Sequence, residues 1–304
     1  MPLHEDEVPV DEHLVRALVR SQRPDLAGLP ILDAGGGTDN TMFRLGQAHV
    51  ARFPRTPEKV VPLRKELTWL PRLGPHLPQP VPTPVHAGQP DTDYPFPWAV
   101  FEWIPGDDAG AGQITDWACY GRDMARFVTA LHSTDLMGAT RRGDLDWYRG
   151  GRVQQLEDRV AACFTEVRAR SRVDPHLDLD VDRLERLWSA ALELPDPVAP
   201  HVWLHGDLRP ANVLTRNGQL CAVLDFGALS VGWPDVEHVV AWDMPAAGRT
   251  TYRQVLGVDA LTWARARAWA IALSVGGVCD YWTRLPSLAQ ESLLRLREII
   301  SDSE

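Results

Sequence analysis

The stretch His205-Gly206-Asp207-Leu208-Arg209-Pro210-Ala211-Asn212, followed by Leu224-Asp225-Phe226-Gly227, holds the side chains of this chain best suited to chemistry. It supplies an aspartate, an asparagine and a second aspartate, in that order. Between Asn212 and Asp225 the sequence reads Val213-Leu214-Thr215, then Asn217-Gly218, then Leu220 to Leu224. Asn-Gly between apolar runs favours a type I′ turn, so the segment predicts a hairpin that brings Asp225 back to the end where Asp207 and Asn212 lie. Carboxylate and amide oxygens gathered in this way suit Mg²⁺ and a triphosphate. Phosphoryl transfer asks of a protein mostly positioning and charge neutralisation. On this reading Asp207 orients or deprotonates the attacking hydroxyl, Asn212 is a metal ligand, and Asp225 is the main metal carboxylate. Taken singly, each is a common turn residue: Asp207 capping a turn, Asn212 opening a strand, Asp225 ending one. Their order and spacing about a hairpin point to chemistry instead.

The elements that must position these residues have room to form. A chain of 304 residues can build two lobes and a sizeable core. Hydrophobic residues at 44% and charged residues at 24% are those of an ordinary soluble globular protein. The net charge of −10 argues against a nucleic-acid partner and is compatible with a cationic substrate, although net charge says little about one pocket. Cys119, Cys163, Cys221 and Cys279 form no C-x-x-C pair, so they read as reduced residues of a cytoplasmic protein, not as disulfides or a zinc site. The acidic start after Met1 lacks the regions of a signal peptide, and no apolar run approaches membrane length. The expectation is a cytoplasmic monomer or homodimer with no membrane or nucleic-acid partner.

Along the chain, residues 11–20 have apolar positions at helical spacing. Pro30 to Asn40 reads as a strand running into the glycine turn Gly35-Gly36-Gly37. Met42–Leu45 and His49–Phe53 flank Gly46-Gln47-Ala48 as two further strands of a meander. Glu58 to Leu73 predicts a helix after Pro57, and the prolines from Pro75 to Pro84 predict no regular structure. Trp98 to Ile104 is an apolar strand stopped by Pro105-Gly106. From Ile114 onward helical patterns dominate apart from the hairpin, with C-terminal helices over 262–280 and 288–300. A sheet-rich first third and a helix-rich remainder predict two lobes, residues 1–104 and 105–304, with a cleft between them.

Three other chemistries are weaker. Ile31-Leu32-Asp33-Ala34-Gly35-Gly36-Gly37-Thr38 is similar to the first motif of nucleoside-cofactor methyltransferases. That motif needs a helix after the glycines and an acidic ribose ligand about 20 residues on. Here a strand meander follows, with Arg52-Phe53-Pro54-Arg55 at the acidic position. No P-loop and no G-x-S-x-G nucleophile elbow occurs.

The catalytic stretch resembles the H-R-D-L-x-x-x-N loop and D-F-G loop of protein kinases. Together with Gly36-Gly37-Thr38-Asp39-Asn40, Arg44-Leu45-Gly46, Val50-Ala51-Arg52-Phe53-Pro54-Arg55, the prolines of 77–84, Ala130-Leu131-His132 and residues 264–270, it makes the chain similar to the aminoglycoside phosphotransferase family from about residue 30 to about 285. The resemblance implies an α+β, protein-kinase-like bilobal fold: a small β-rich N-lobe and a larger helical C-lobe with the catalytic hairpin. It implies a kinase that moves a phosphate from ATP or GTP, with Mg²⁺, to a small-molecule hydroxyl, most readily that of an antibiotic or related natural product. Arg52 takes the place of the phosphate-binding strand lysine, with Glu66 as its helix partner; Lys59 and Lys65 are the only lysines. Arginine is bulkier than lysine but clamps phosphate bidentately. Thr38, Asp39 and Asn40 form the loop over the phosphates, acting through backbone N–H groups. Phe101 and Trp103 offer backbone groups to the adenine edge, and His205 supports the loop. Acceptor residues fall within 140–180 and 235–285, where Asp235, Glu237 and Asp280 are the acidic candidates.

Two departures stand out. Where many members have Gly-Asp-Pro-x-x-Asp, this chain has Gly232-Trp233-Pro234-Asp235-Val236-Glu237. Glu237 has one extra methylene with which to brace the catalytic loop, and Trp233 removes a charge near the acceptor. A metabolic kinase of the choline, homoserine or fructosamine type is the alternative. A nucleotide-binding pseudokinase is a further one, disfavoured by the intact Asp207, Asn212 and Asp225.

Overall fold

The structure, a computed structural model, describes residues 7–109, 114–174 and 177–302. The chain divides into two compact units, Met1–Asp107 with Cys221–Leu229, and Asp108–Leu220 with Ser230–Glu304. A boundary at 104/105 assigns 221–229 to the second lobe; these residues instead belong to the first compact unit. The cause lies in bonds made within that unit, described with the site below.

The first unit opens with α1 (Glu12–Gln22), capped by Asp11, whose carboxylate accepts the Leu14 N–H at 2.8 Å. Next come β1 (Ile31–Gly36), β2 (Asn40–Leu45), β3 (His49–Pro54), α2 (Val60–Leu73), β4 (Pro84–Gly88) and β5 (Trp98–Glu102). The strands form one antiparallel sheet in the order β1-β2-β3-β5-β4. The prolines predict no strand at Pro84, yet β4 starts there. The sheet order explains it: β4 is an edge strand, where a missing N–H is tolerated. The helix predicted from Glu58 begins with a 3₁₀ turn over Pro57–Lys59.

Period-two alternation splits the sheet between two cores. Ala51 and Phe53 of β3 and Trp98 and Val100 of β5 join Val15, Leu18 and Val19 of α1. Val50, Ala99 and Phe101 point the other way and join Leu63 of α2. Phe53 stacks on Trp98 at 5.3 Å, and Gly88 leaves room for that ring, since a Cβ there would lie 2.2 Å from it. Arg52 shares the face of Val50, so it is turned toward α2. There Glu66 lies one helical turn from Leu63, on the same side of the helix. The alternation of strand and helix therefore forces Arg52 and Glu66 together.

The two-residue strand β6 (Asp107–Asp108) falls where the first unit's run gives way to the second's. The second unit contains α3 (Trp117–Ser133), α4 (Glu157–Ser171), α5 (Val181–Leu192), β7 (Val202–Leu204) and β8 (Val213–Arg216). The chain turns at Asn217-Gly218 into β9 (Gln219–Val223), then continues through β10 (Ser230–Gly232), α6 (Ala246–Leu256), α7 (Ala260–Tyr281) and α8 (Pro286–Asp302). Asn217 and Gly218 have φ of 53° and 76°, as a type I′ turn requires. β7 and β10 pair antiparallel, with Leu204 opposite Ser230. A Cβ on Gly232 would lie 2.4 Å from the Gly150 Cα, so only glycine lets the 3₁₀ turn Tyr148–Gly150 press against β10. The Trp233 N–H then donates to the Gly150 carbonyl at 3.1 Å. α4 packs on α7, and α7 on α8.

Candidate active site

In the second unit the chain leaves β7 directly into His205 and Asp207. His205 is fully buried, and its ring Nδ1 accepts the Asp207 N–H at 3.2 Å. The loop backbone is braced from behind by Glu237, whose carboxyl accepts the His205 N–H at 2.6 Å and the Gly206 N–H at 3.4 Å. Burial pushes the Glu237 carboxyl up to about 8, against the pull of those two N–H groups. Asn212 closes the 3₁₀ turn Pro210–Asn212. Its side-chain amide donates to the Asp207 carbonyl at 2.9 Å and to Asp207 Oδ2 at 3.2 Å. With the nitrogen so committed, its Oδ1 is left as a hard oxygen donor.

The other Asp207 oxygen is held by a residue the sequence did not single out. Arg149 Nη1 donates to Asp207 Oδ1 at 2.5 Å and to the Gly206 carbonyl at 2.7 Å. Burial opposes ionisation of Asp207, but Arg149, with help from Arg209 and His205, outweighs it and keeps the carboxylate below its ordinary range. No motif flags Arg149. Its only sequence signal is the pair Gly150-Gly151 after it, which allows the tight approach to β10.

The first unit holds a second prearranged group. Arg52 Nη1 donates to Glu66 Oε2 at 2.9 Å, and the Arg52 guanidinium lies 4.5 Å over the Phe101 ring. Glu66 Oε1 accepts the backbone N–H of Phe226 at 2.8 Å. Beside it, Lys65 Nζ donates to the Leu229 carbonyl at 2.9 Å, and the Val223 N–H donates to the Pro80 carbonyl at 3.1 Å. These three bonds bind 221–229 to the first unit. Burial raises the Glu66 carboxyl above its ordinary value, with Arg52 opposing. Asp225 has left-handed backbone, φ 57° and ψ 69°, and its carboxylate accepts the Gly227 N–H at 3.3 Å. An aspartate held in that region costs about 1–3 kcal/mol, and such positions cluster at functional sites.

Thr38 and Asp39 lie between β1 and β2, and Asn40 is the first residue of β2. Asp39 pairs with Lys59 at 2.7 Å and accepts the Thr38 hydroxyl at 3.1 Å, while Arg55 donates to the Gly37 carbonyl at 3.1 Å. Phe101 is wholly in the core. The Trp103 N–H is already donated to the Ala48 carbonyl at 2.8 Å, so its carbonyl is the backbone group it has to offer. Of the acidic acceptor candidates, Asp235 is buried against Arg265 at 3.1 Å and Glu237 braces the loop. Asp280 lies on a cleft but is paired with Arg159 at 2.5 Å. Trp233 meets His201, ring to ring at 5.2 Å.

A family model described as the phosphotransferase enzyme family matches residues 31–269. The chain belongs to that family. It is therefore a kinase acting on an alcohol group, with a nucleotide as donor and a small molecule as acceptor. Solved phosphotransferases similar to it include the GDP complex of wild-type aminoglycoside 2′-phosphotransferase-IIIa, with a TM-score of 0.72 and 20% identity over 97% of this chain and 100% of that one. The gentamicin complex of APH(2″)-IIa has a TM-score of 0.63 at 15% identity, covering 95% and 97% of the two chains. A macrolide 2′-phosphotransferase from Brachybacterium faecium has 0.59 at 20%, covering 95% and 98%. These likenesses show the fold, α+β and protein-kinase-like as the motifs imply. No curated protein matches the chain by sequence. Among the described residues no helix is long and apolar enough to cross a membrane.

Proposed function

We propose that this phosphotransferase moves the γ-phosphate of ATP or GTP to a hydroxyl of an antibiotic or related natural product. The observation that supports this most is the state of Asp207: ionised by Arg149, tied to Asn212, and with its side chain still 36% exposed. A carboxylate so placed accepts a hydrogen bond from an incoming hydroxyl and fixes the line of attack. Because its proton affinity is held low, its main contribution is orientation, with the proton taken up as the new O–P bond forms. The bond from the γ-phosphorus to the nucleoside diphosphate breaks, and the diphosphate leaves.

Arg52 carries the phosphate-binding charge. Glu66 and the Phe101 ring hold its guanidinium, whose fork of N–H groups suits phosphate oxygens. Backbone N–H groups of Thr38, Asp39 and Asn40 cover the phosphates, and Phe101 and Trp103 offer backbone groups to the adenine edge. Mg²⁺ would supply the remaining charge neutralisation. The donors present fit it: Asn212 has Oδ1 to give, Asp225 is a carboxylate in a turn, and Mg²⁺ is usually bound by one or two carboxylates together with phosphates and water. The family's aminoglycoside and macrolide kinases support an antibiotic acceptor. A nucleoside triphosphate donor suits a cytoplasmic enzyme, acting as a monomer or homodimer.

The test is a panel of aminoglycosides, macrolides, and peptide and nucleoside antibiotics with ATP and GTP, followed by product mass. One class should gain a single phosphate, and the gain should vanish without Mg²⁺ and in Asp207→Ala. Nucleotide binding with no gain on any antibiotic would remove the antibiotic part of the reading. Failure to bind either nucleotide would remove all of it.

A further inference from the structure

We infer that the acceptor lies in a cleft of the second unit between α4 and α7, and that it is an uncharged hydroxyl compound with an apolar face, not a polycation; this rests on the role proposed for Asp207. The cleft has a volume of about 440 Å³, within the range that takes a drug-sized ligand. Arg149 forms part of its wall, and the same guanidinium is hydrogen-bonded to Asp207. A compound seated there thus lies one side chain from the carboxylate proposed to orient its hydroxyl.

The lining sets the chemistry. Leu156, Val160, Ala272 and Leu273 supply apolar surface, and Tyr148 and Tyr281 supply rings. Tyr148 is 38% exposed, and its hydroxyl accepts the Arg149 Nε–H at 3.1 Å. The charges are Arg149, Arg159 and Asp280, and Asp280 is already neutralised by Arg159. An amino sugar with several ammonium groups needs several free carboxylates. Here the carboxylate in the lining is Asp280, held by Arg159, and the Asp207 carboxylate beyond the wall is held by Arg149. The apolar wall selects for an apolar face, and a lining whose carboxylate is already paired offers a polycation little in exchange for its hydration.

One of two glycines in α7 points the same way. Gly276 and Gly277 both line the cleft from the interior of α7, where glycine is unfavourable relative to alanine. Gly277 has a packing reason, because a Cβ there would lie 2.2 Å from Ser292 Oγ of α8. Gly276 has none: nothing lies within 4 Å of where its Cβ would be. Its missing side chain leaves only the floor of the cleft open.

The test offers the full chain two sets of compounds without nucleotide, reading the thermal midpoint that a bound ligand raises. One set is kanamycin and gentamicin; the other is a collection of uncharged aryl and alicyclic alcohols that includes chloramphenicol and arbutin. Members of the uncharged set should raise the midpoint and kanamycin and gentamicin should not. Gly276→Phe should weaken the uncharged ligands by about a hundredfold while binding MgATP as before. Gly276→Ala, which adds one methyl into open space, checks that the helix tolerates a side chain there. Kanamycin or gentamicin binding that Gly276→Phe abolishes would overturn the inference, and so would an uncharged set in which nothing binds. MgATP binding is measured separately, so failure of the kinase reading cannot be mistaken for failure of the cleft.

Discussion

In the first unit the carboxylate of the ion pair is the hidden partner: the Glu66 side chain is 4% exposed and that of Arg52 11%. In the second the order is reversed, with Arg149 19% exposed and Asp207 36%. Glu66 also spends its second oxygen on the Phe226 backbone, whereas Arg149 spends its spare donor capacity on the Gly206 carbonyl. In each case the more buried member is tied to the backbone of a loop, and its partner is the more exposed of the two. The same arginine–carboxylate pair therefore leaves a guanidinium the more exposed group in one unit and a carboxylate in the other. Which is left so depends on which partner the surrounding elements bury.

The comparison breaks first at Asp207. Asp207→Ala removes the working end of its pair and should lower kcat by about 10²–10⁴-fold, the range for a positioned acid–base group. Nucleotide affinity, which the reading assigns to Arg52, should stay within about twofold. Single-turnover rates and calorimetric nucleotide titration separate the two. Near-normal turnover would show that Asp207 is not the acceptor's partner.

Glu66→Ala removes an anchor instead, so its damage should appear as stability. It leaves Arg52 without its counter-charge and the Phe226 N–H without an acceptor, at a cost of about 3 kcal/mol in denaturant unfolding. Nucleotide binding should weaken with it. Glu66→Gln, which retains an oxygen for Phe226, should lose less stability than Glu66→Ala; equal losses would mean that the link to Phe226 contributes nothing.

Arg149→Gln removes the anchor of the second pair, with a smaller expected loss in kcat on the order of tenfold. Its diagnostic is the pH profile. Arg149 holds Asp207 below its ordinary value, so the variant should lose activity at a higher pH on the acid side than the wild type does. Arg52→Gln should raise the nucleotide KM and leave that acid limb in place. An unmoved limb in Arg149→Gln would reduce Arg149 to a packing residue.

The anchors differ from the working ends in legibility too. Asp207, Asn212 and Asp225 are readable because their spacing is local and the Asn217-Gly218 turn between them has its own chemical signature. Arg52 and Glu66 are readable through the resemblance, and strand alternation explains their meeting afterwards. Arg149 is 58 residues from Asp207. It arrives there only because β7 pairs with β10 and the Gly150–Gly232 contact lets the turn approach, facts of tertiary structure with no local pattern. The inclusion of 221–229 in the first unit is hidden for the same reason, since it depends on Glu66 and Lys65 of α2 reaching backbone atoms far along the chain. The strand at Pro84 was masked by composition: proline argues against a strand until its place at the sheet edge is known.

The smallest effect probes how Glu237 and Asp207 differ, since both serve one loop and are shifted in opposite directions. Burial lifts Glu237 from an ordinary 4.5 to about 8. Between those values the folded protein keeps a proton that the unfolded chain gives up. Stability should therefore fall as pH rises through that window, by at most about 1.4 kcal/mol per pH unit from this one group. Asp207 acts the other way. Its carboxylate is held below the ordinary value, so its contribution is present at neutral pH and is lost only as pH falls through the lowered value. Asp235 and Asp243, each raised to about 6, add to the decline only at the lower end of the window. Buried His132 and His238 titrate lower still, at about 3 and 4, and cease to matter above the ordinary histidine value of 6.5. The difference in unfolding free energy between wild type and Glu237→Gln, measured from pH 6.5 to 8, thus isolates one carboxyl. Glutamine retains an oxygen for the His205 N–H but has no proton to lose, so the decline should flatten. A wild-type curve parallel to the variant's across that window would show that the brace behind the catalytic loop is ionised throughout.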